Sequence, residues 1–218
     1  MAVTPDLSGV SLRLSKPVYR YHQYQGYTND CGPTSVAIAV NALLDERVLE
    51  GPDVAKEMSR LAFAWRPFPH IVVPRIPRWA TFPWGIVYYL RKRGFRARWR
   101  PFGTLERLER NLRADRLTMV ILGEPWRWSR VQTDALWPWK RWAYTGWAHV
   151  KILFGQLPGR GFLFVDPGYA RAFNAERLEY HGLFWQNEET FMRQWRNLLR
   201  ILIEVEDVPG KVSPLERA

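Results

Sequence analysis

The sequence predicts an α+β protein that forms one domain. Helix-like segments dominate the first half of the chain and strand-like segments the second half, an order typical of helices packed against a mostly antiparallel sheet. The segment 33–44, PTSVAIAVNALL, is apolar on nearly every face, which predicts a central helix that is buried all round. A length of 218 residues suits a single hydrophobic core.

Four further helices are predicted from local patterns. Segment 52–62 shows helical spacing behind a proline suited to a first turn, and Gly94 marks the end of a helix at 84–93. Leucines recur at helical spacing after Thr104, which we expect to be the N-cap. The last helix is predicted at 188–198.

Strands are predicted where short apolar runs alternate with turn residues. These runs lie at 96–100, 117–122, 149–154, 161–166 and 199–205. The stretch 63–83 contains five prolines and no clean periodicity, which predicts a long packed loop. We expect residues 1–20 to form an extended arm without a helix, residues 21–208 the domain, and residues 209–218 a tail.

Segment 124–147 is predicted to be an insertion between strands. It holds six of the twelve Trp residues, interleaved with Arg and Lys. One interpretation is a lid or groove wall, because aromatic faces with cationic neighbours suit peptide, sugar or membrane-interface contacts, and Trp142 and Trp147 are then candidate substrate-binding residues. The alternative is a loop packed on itself, and both interpretations stay open.

Composition limits the classes of function. The chain has one cysteine, which excludes an internal disulfide, and a net charge of +11, which favours anionic partners. Zinc-finger spacing, an RNA-binding aromatic signature and a phosphate-binding glycine loop are missing from the sequence, so we expect no nucleic-acid partner. The dispersed histidines, His22, His70 and His181, predict no metal site.

Targeting signals are also missing from the sequence. No apolar run approaches the roughly 20 residues of a membrane-spanning helix, and the start does not resemble a secretory signal. We expect a cytoplasmic protein without a membrane-spanning segment, for which peripheral membrane contact stays open. The oligomeric state is not predicted.

Cys31 lies where a polar, glycine-containing segment meets the central helix. The amides and dipole of a helix N-terminus stabilise a thiolate, so this position favours a nucleophilic sulfur. Gly32 permits close approach of a substrate backbone, and Pro33 is tolerated in a first turn. We expect Asp30 to bond backbone amides near the helix start. The alternative for Cys31 is a small buried apolar residue.

A hairpin of the two strands 149–154 and 161–166 would join two further candidates. A symmetric register places His149 opposite Asp166, with Cβ atoms about 4.5–5.5 Å apart, close enough for a carboxylate to orient the imidazole. The other ring nitrogen could then take a proton from Cys31. His149 as a core residue and Asp166 as a turn former are the alternatives.

Several motifs together resemble one enzyme family. The similarity is to the bacteriocin-leader-processing cysteine peptidases and their stand-alone relatives, which belong to the papain-like superfamily, and it spans roughly residues 21–205. It is carried by Gln25, by DCGPTS at 30–35, by AHVKILFG at 148–155 and by FVDPG at 164–168.

The resemblance implies a papain-like fold and a role for each matching residue. Cys31 corresponds to the nucleophile, His149 to its base and Asp166 to the third member of the triad. Gln25 corresponds to the glutamine of the oxyanion hole, although it could instead bond to loop backbone.

These observations predict a cysteine peptidase that hydrolyses peptide bonds through a thioester, with a peptide or protein substrate and no cofactor. Two alternatives stay open. An acyltransferase or amidase would use the same residues, and a non-catalytic module would bind peptide or cell-wall fragments without chemistry.

Overall fold

The main sheet contains strands from both ends of the chain. The structure is a computed structural model that describes residues 9–64, 70–130, 142–168 and 183–206, without the side chains of 62–64, 70, 125–130 and 142–146. The helices of these residues are α1 (Cys31–Leu44), α2 (Gly51–Met58), α3 (Pro83–Lys92), α4 (Leu105–Arg113) and α5 (Glu188–Asn197), with a 3-10 helix at Val18–Tyr21.

The described strands form one large sheet and two small ones. They are β1 (Leu12–Arg13), β2 (Ala62–Ala64), β3 (His70–Val72), β4 (Arg75–Ile76), β5 (Ala80–Thr81), β6 (Arg96–Arg100), β7 (Leu117–Arg130), β8 (Trp142–Leu157), β9 (Gly161–Val165), β10 (Phe184–Gln186) and β11 (Leu202–Glu206). The large sheet has the order β10-β9-β8-β7-β11-β6, with β1 also paired to β8. Its pairs are all antiparallel, which confirms the predicted mixture of helices and an antiparallel sheet.

The five predicted helices are confirmed, with small differences at their ends. The central helix begins at Cys31 and is buried from Gly32 to Leu43, as its all-round apolar sequence predicts. Thr104 is the N-cap of α4, and its side chain accepts a hydrogen bond from the amide of Arg107. Gly94 follows α3 with φ +88°, the left-handed conformation in which glycine ends a helix at no steric cost.

Two predictions about irregular segments are wrong. The stretch 63–83 is not one long loop, because β2–β3 and β4–β5 form two small hairpins in it. Pro74 and Pro77 flank β4 and do not interrupt it, and Pro83 opens α3, so these prolines remove no amide that a strand needs. The arm also contains the 3-10 helix at Val18–Tyr21, where no helix was expected.

The predicted insertion at 124–147 is in part an extension of two strands. β7 and β8 pair from Thr118 with Leu153 to Arg130 with Trp142, and the register is irregular between Glu124 and Arg127. Residues 131–141 lie outside the described residues. The strand that carries His149 is therefore continuous with the ribbon formed by the far ends of β7 and β8.

The hydrophobic core lies between the sheet and the helices. All five residues of β9 are buried, and Phe162, Phe164 and Phe191 pack ring against ring beside Trp195. Across the described part of the chain, none of the helices combines the length and apolarity needed to cross a membrane.

Candidate active site

Cys31 is the first residue of α1 and is partly exposed. The carbonyl of Asp30 accepts the amide of Thr34 at 2.9 Å, which starts the helix. The Asp30 carboxylate makes no capping bond, contrary to our expectation, and instead pairs with Arg75 at 2.5 Å. The attraction of the buried guanidinium for this carboxylate outweighs a capping bond, and the pair places a compensating cation beside the acidic residue that precedes Cys31.

Helix α1 is tied to strand β8 one turn beyond the cysteine. The hydroxyl of the buried Ser35 donates a hydrogen bond to the carbonyl of Val150 at 3.2 Å. This bond fixes the helix against the strand beside His149. The Cys31 thiol and the His149 imidazole lie close enough for each to shift the pKa of the other.

His149 also contacts Asp166. Its Nε2 atom lies 2.5 Å from Oδ1 of Asp166, and the two side chains are 16 % and 0 % exposed. Because Nε2 is bonded to the carboxylate, Nδ1 is the nitrogen left for the sulfur. The imidazole therefore lies between a thiol and a carboxylate, with its edge open to solvent.

The strand register differs from the one predicted, although the contact survives. In β8–β9, Ile152 pairs with Val165, so continuing this register would place Lys151, not His149, opposite Asp166. The difference arises because β8 runs on to Leu157, and because the ladder is irregular between Leu153 and Gly155. A slip of two residues keeps each side chain on its original face, so His149 still reaches Asp166 diagonally.

Backbone contacts hold the turn that follows Asp166. The amide of Gly168 donates to Asp166 Oδ1 at 2.8 Å, and His22 Nε2 lies 2.9 Å from the Asp166 carbonyl. The backbone amide of Gln25 donates to the carbonyl of Pro167 at 2.9 Å. Loop 22–25 and the turn 166–168 therefore brace each other next to the imidazole.

The side chain of Gln25 is committed to its own loop. Its Nε2 donates to the carbonyl of Thr28 at 2.6 Å, while its Oε1 is buried and accepts no hydrogen bond from the described residues. The amide nitrogen carries a second hydrogen that this bond does not use. The loop-bonding alternative for Gln25 therefore has a contact in its favour, and an oxyanion role depends on the second hydrogen.

The charges of the site favour a thiolate. Burial opposes ionisation of Cys31, but the hydrogen bond and charge of His149, together with the amides of Val150 and Gly32, hold the pKa of the thiol below its usual value. Burial would lower the pKa of His149, but the charge and hydrogen bond of Asp166 outweigh it and raise that pKa to about 9. Near neutral pH this combination favours a thiolate–imidazolium pair.

Asp166 stays ionised in this arrangement. Burial alone would raise its pKa, but the charges of His149 and Lys151 hold the pKa of the carboxyl well below its usual range. Lys151 is the functional candidate that sequence reasoning missed. Its signal was a lysine two residues after His149, on the same face of an otherwise apolar strand.

The three predicted substrate-binding residues have different surroundings. Gly32 is buried, and a Cβ placed on it would lie 2.7 Å from Cβ of Thr81 in β5, so its lack of a side chain serves packing against that hairpin. Trp147 is 40 % exposed and lies two residues before His149 on β8. Trp142 begins β8, and its side chain lies outside the described residues.

A cavity of about 560 Å³ opens beside Asp30, the residue before the candidate nucleophile. Three of its residues are cationic and one is acidic. The lining consists of Tyr27, Thr28, Asn29, Asp30, Ala55, Lys56, Ser59, Arg75, Pro77 and Arg78. Its size falls within the range of ligand pockets, and its charge suits an anionic or polar group.

The sequence predicts no metal site, and the described residues cover only part of the chain in which one could lie. Among the described residues, no three His, Cys, Asp or Glu side chains gather where they could hold a metal ion. The side chains of His70 and His181 lie outside that description.

Comparison with known proteins yields a likeness of fold. No protein-family model matches the chain, and no curated protein matches its sequence. Among solved structures, the chain is similar to a Bacillus anthracis protein provisionally described as a C39-like peptidase, with a TM-score of 0.57 and 13% sequence identity. The alignment covers 91% of this chain and 98% of that one, so the likeness extends over nearly the whole fold.

Proposed function

We propose that this chain is a cysteine peptidase that hydrolyses peptide bonds through a thioester intermediate. The observation that carries the proposal is the position of His149, whose imidazole interacts with Cys31 on one side and lies 2.5 Å from Asp166 on the other. The fold likeness to a C39-like peptidase supports the same class of reaction.

In the proposed reaction the Cys31 thiolate attacks the carbonyl carbon of a peptide bond. The tetrahedral intermediate collapses to a thioester as His149 gives its proton to the leaving amine. His149 then takes a proton from water, the hydroxide attacks the thioester, the carboxylic acid is released, and the Cys31 thiolate and the His149 imidazolium are regenerated. Asp166 holds the imidazole in place and compensates its charge.

The oxyanion of this intermediate needs hydrogen-bond donors. We assign this role to the backbone amide of Cys31 and the second amide hydrogen of Gln25. Removal of one such donor costs about 2.7–4 kcal/mol of transition-state stabilisation in comparable sites. The bond of the Gln25 side-chain amide to Thr28 O uses one of its two hydrogens, and the other is left for the oxyanion.

The surroundings of the site suit a peptide with acidic residues. The cavity next to Asp30 contains Lys56, Arg75 and Arg78, and Trp147 offers an exposed indole on the strand of His149. A cationic pocket and an aromatic face both bind extended peptides that carry carboxylates.

The test combines cleavage with labelling of the thiol. We expect a peptide library incubated with the protein to yield products with free carboxyl ends, and Cys31→Ala to yield none. Addition of hydroxylamine or a second amine would divert the acyl group in an acyltransferase, and amide products would then replace the acids. If no peptide is cleaved and iodoacetamide at pH 6 labels Cys31 no faster than free cysteine, the non-catalytic binding module is correct.

A further inference from the structure

Lys151 is a buried cation that the reaction described above does not use. It is 5 % exposed, and its Nζ atom lies 2.9 Å from Oδ2 of Asp166. The ring of Phe184 lies 4.1 Å from the same atom and the ring of Phe164 lies 5.9 Å from it, measured to the ring centroids. The ammonium is therefore enclosed by one carboxylate and two aromatic faces.

The two oxygens of Asp166 have different cationic partners. Oδ1 contacts His149 and Oδ2 contacts Lys151, and no part of the Asp166 side chain is exposed. Such a carboxylate can neither rotate nor exchange oxygens without breaking an ion pair. Its orientation toward the imidazole is therefore fixed by Lys151.

The need for a second cation follows from the proton cycle of a histidine base. His149 is an imidazolium when the thiolate is present and neutral after it has given its proton away. With a neutral His149 alone, Asp166 would be a buried anion without a counter-ion, which is a costly state. Lys151 supplies the opposite charge in both halves of the cycle.

We propose that Lys151 is a positioning residue of this site, a counter-ion that keeps Asp166 paired and directed at His149 throughout the reaction. The inference rests on the proposed function, because it needs His149 to act as a base. A residue that only fills space would leave the pKa values of its neighbours unchanged. The charge of Lys151 should instead shift the pKa values of the titratable groups beside it.

The direction of that effect is determined by electrostatics. Removal of a cation makes loss of a proton harder for every neighbouring acid, so the pKa values of Cys31 and His149 both rise. The titratable and charged groups that the described elements bring to this point are Cys31 on α1, His22 before it, His149 and Lys151 on β8, and Asp166 after β9. The pH range of the thiolate–imidazolium pair should move upward as a whole.

The experiment is the pH profile of Cys31 alkylation by iodoacetamide, followed by intact mass. Cys31 is the only cysteine of the chain, so the mass shift reports this sulfur alone. The profile has two midpoints, which report the pKa of the Cys31 thiol and the pKa of the His149 imidazolium. We expect Lys151→Met to move both midpoints up by about 0.5 pH unit or more, which is less than the 1–3 units that a charge in direct contact produces. Lys151→Arg keeps the charge and should restore the wild-type midpoints.

A second neutral variant and the cleavage assay separate the possible outcomes of this experiment. If Lys151→Met does not fold, Lys151→Gln removes the charge while it keeps a polar group near Oδ2, and the same upward shift is expected. A folded neutral variant whose profile superimposes on that of the wild type would overturn the proposal, even if peptides are cleaved. An upward shift in a protein that cleaves no peptide would support Lys151 and count only against the proposed hydrolysis.

Discussion

His149 and Asp166 are joined by a 2.5 Å contact between Nε2 and Oδ1, although the strand register directs Lys151 at the carboxylate. Residues 149 and 151 lie on one face of β8, so both side chains reach the same carboxylate from neighbouring positions. One buried acid thus serves an imidazole and an ammonium at the same time.

Replacement of His149 should slow the reaction of the thiol. In His149→Gln the thiolate loses its cation while burial still opposes its charge, so the pKa of Cys31 should rise to its ordinary value or above. We expect alkylation by iodoacetamide at pH 6 to slow by roughly 100-fold, because a thiol with an ordinary pKa of about 8.5 is mostly protonated there. Above pH 9 the two rates should converge, which serves as an internal control. Equal rates at pH 6 would mean that the imidazole does not activate the sulfur.

Peptide hydrolysis should fail on the alkaline side when the imidazolium is lost. The pKa of His149 is about 9, so the proton needed by the leaving amine is present below that pH and lost above it. We therefore expect kcat/KM for a cleaved peptide to fall with a midpoint near pH 9. A falling limb near the unperturbed histidine value of about 6.5 would show that Asp166 does not stabilise the imidazolium.

Stability should depend on the same proton. A pKa raised from 6.5 to about 9 means that the folded state binds the proton more tightly than the unfolded state. The stabilisation is fully present below pH 6.5 and is lost as the pH rises through 9. In urea unfolding, we expect the midpoint difference between wild type and His149→Gln to shrink over that range. A difference that is constant with pH would contradict the ion pair.

A side chain at Gly168 should impair the site, because it would contact the His149 imidazole and the Asp166 carboxylate. A Cβ on Gly168 would lie 3.0 Å from Cε1 and Nε2 of His149 and 3.1 Å from Oδ1 of Asp166. Gly168→Ala should therefore displace the imidazole by a few tenths of an ångström, and we expect about a tenfold fall in kcat/KM. The cost in unfolding free energy should stay within about 1–3 kcal/mol.

The matched control for this variant is Gly9→Ala. Among the described residues its new methyl group would meet Leu157 Cδ2 alone, at an ordinary contact distance of 3.6 Å. This variant should keep wild-type kcat/KM. Equal activity in the two variants would show that the imidazole does not need the room that Gly168 leaves.

Gly32 and Thr81 should behave as a coupled pair. A methyl group at position 32 would lie 2.7 Å from Cβ and 2.8 Å from Cγ2 of Thr81, closer than packed atoms can approach. We expect Gly32→Ala to lower the free energy of unfolding by about 1–3 kcal/mol. Thr81→Gly should restore much of that loss in the double variant, as a double-mutant cycle in urea would measure. If the double variant is as unstable as the sum of the two single ones, the hairpin is not what excludes a side chain at Gly32.

Local signals were sufficient to predict the helices and the proximity of the central groups. The all-round apolar segment could only be a buried helix, so the position of Cys31 at its start followed from the sequence. The contact between His149 and Asp166 followed from two apolar runs separated by a turn, although the strand register lies two residues from the predicted one. Each of these inferences needed only neighbours in the chain or one hairpin.

Relationships that depend on distant contacts could not be predicted in this way. The register of β8–β9 is a local feature that the strand pattern alone did not determine, because it depends on a tight turn in which the amide of Arg160 donates to Leu157 O at 3.1 Å and Gly159 takes φ +65°. Lys151 is enclosed by Asp166, by Phe164 of β9 and by Phe184 of β10, neighbours that the sequence around Lys151 does not indicate. The Asp30 carboxylate pairs with Arg75 and not with the helix amides, because a hairpin 45 positions away in sequence brings the Arg75 guanidinium next to it.

The presence of a single, partly exposed sulfur at the start of α1 has a consequence for oxidation. A sulfenic acid formed at Cys31 would find no second thiol in the chain with which to condense. Recovery from peroxide would therefore require a small thiol such as glutathione, or another protein, to form a mixed disulfide first. The protein's return to the reduced state would be governed by the redox buffer around it.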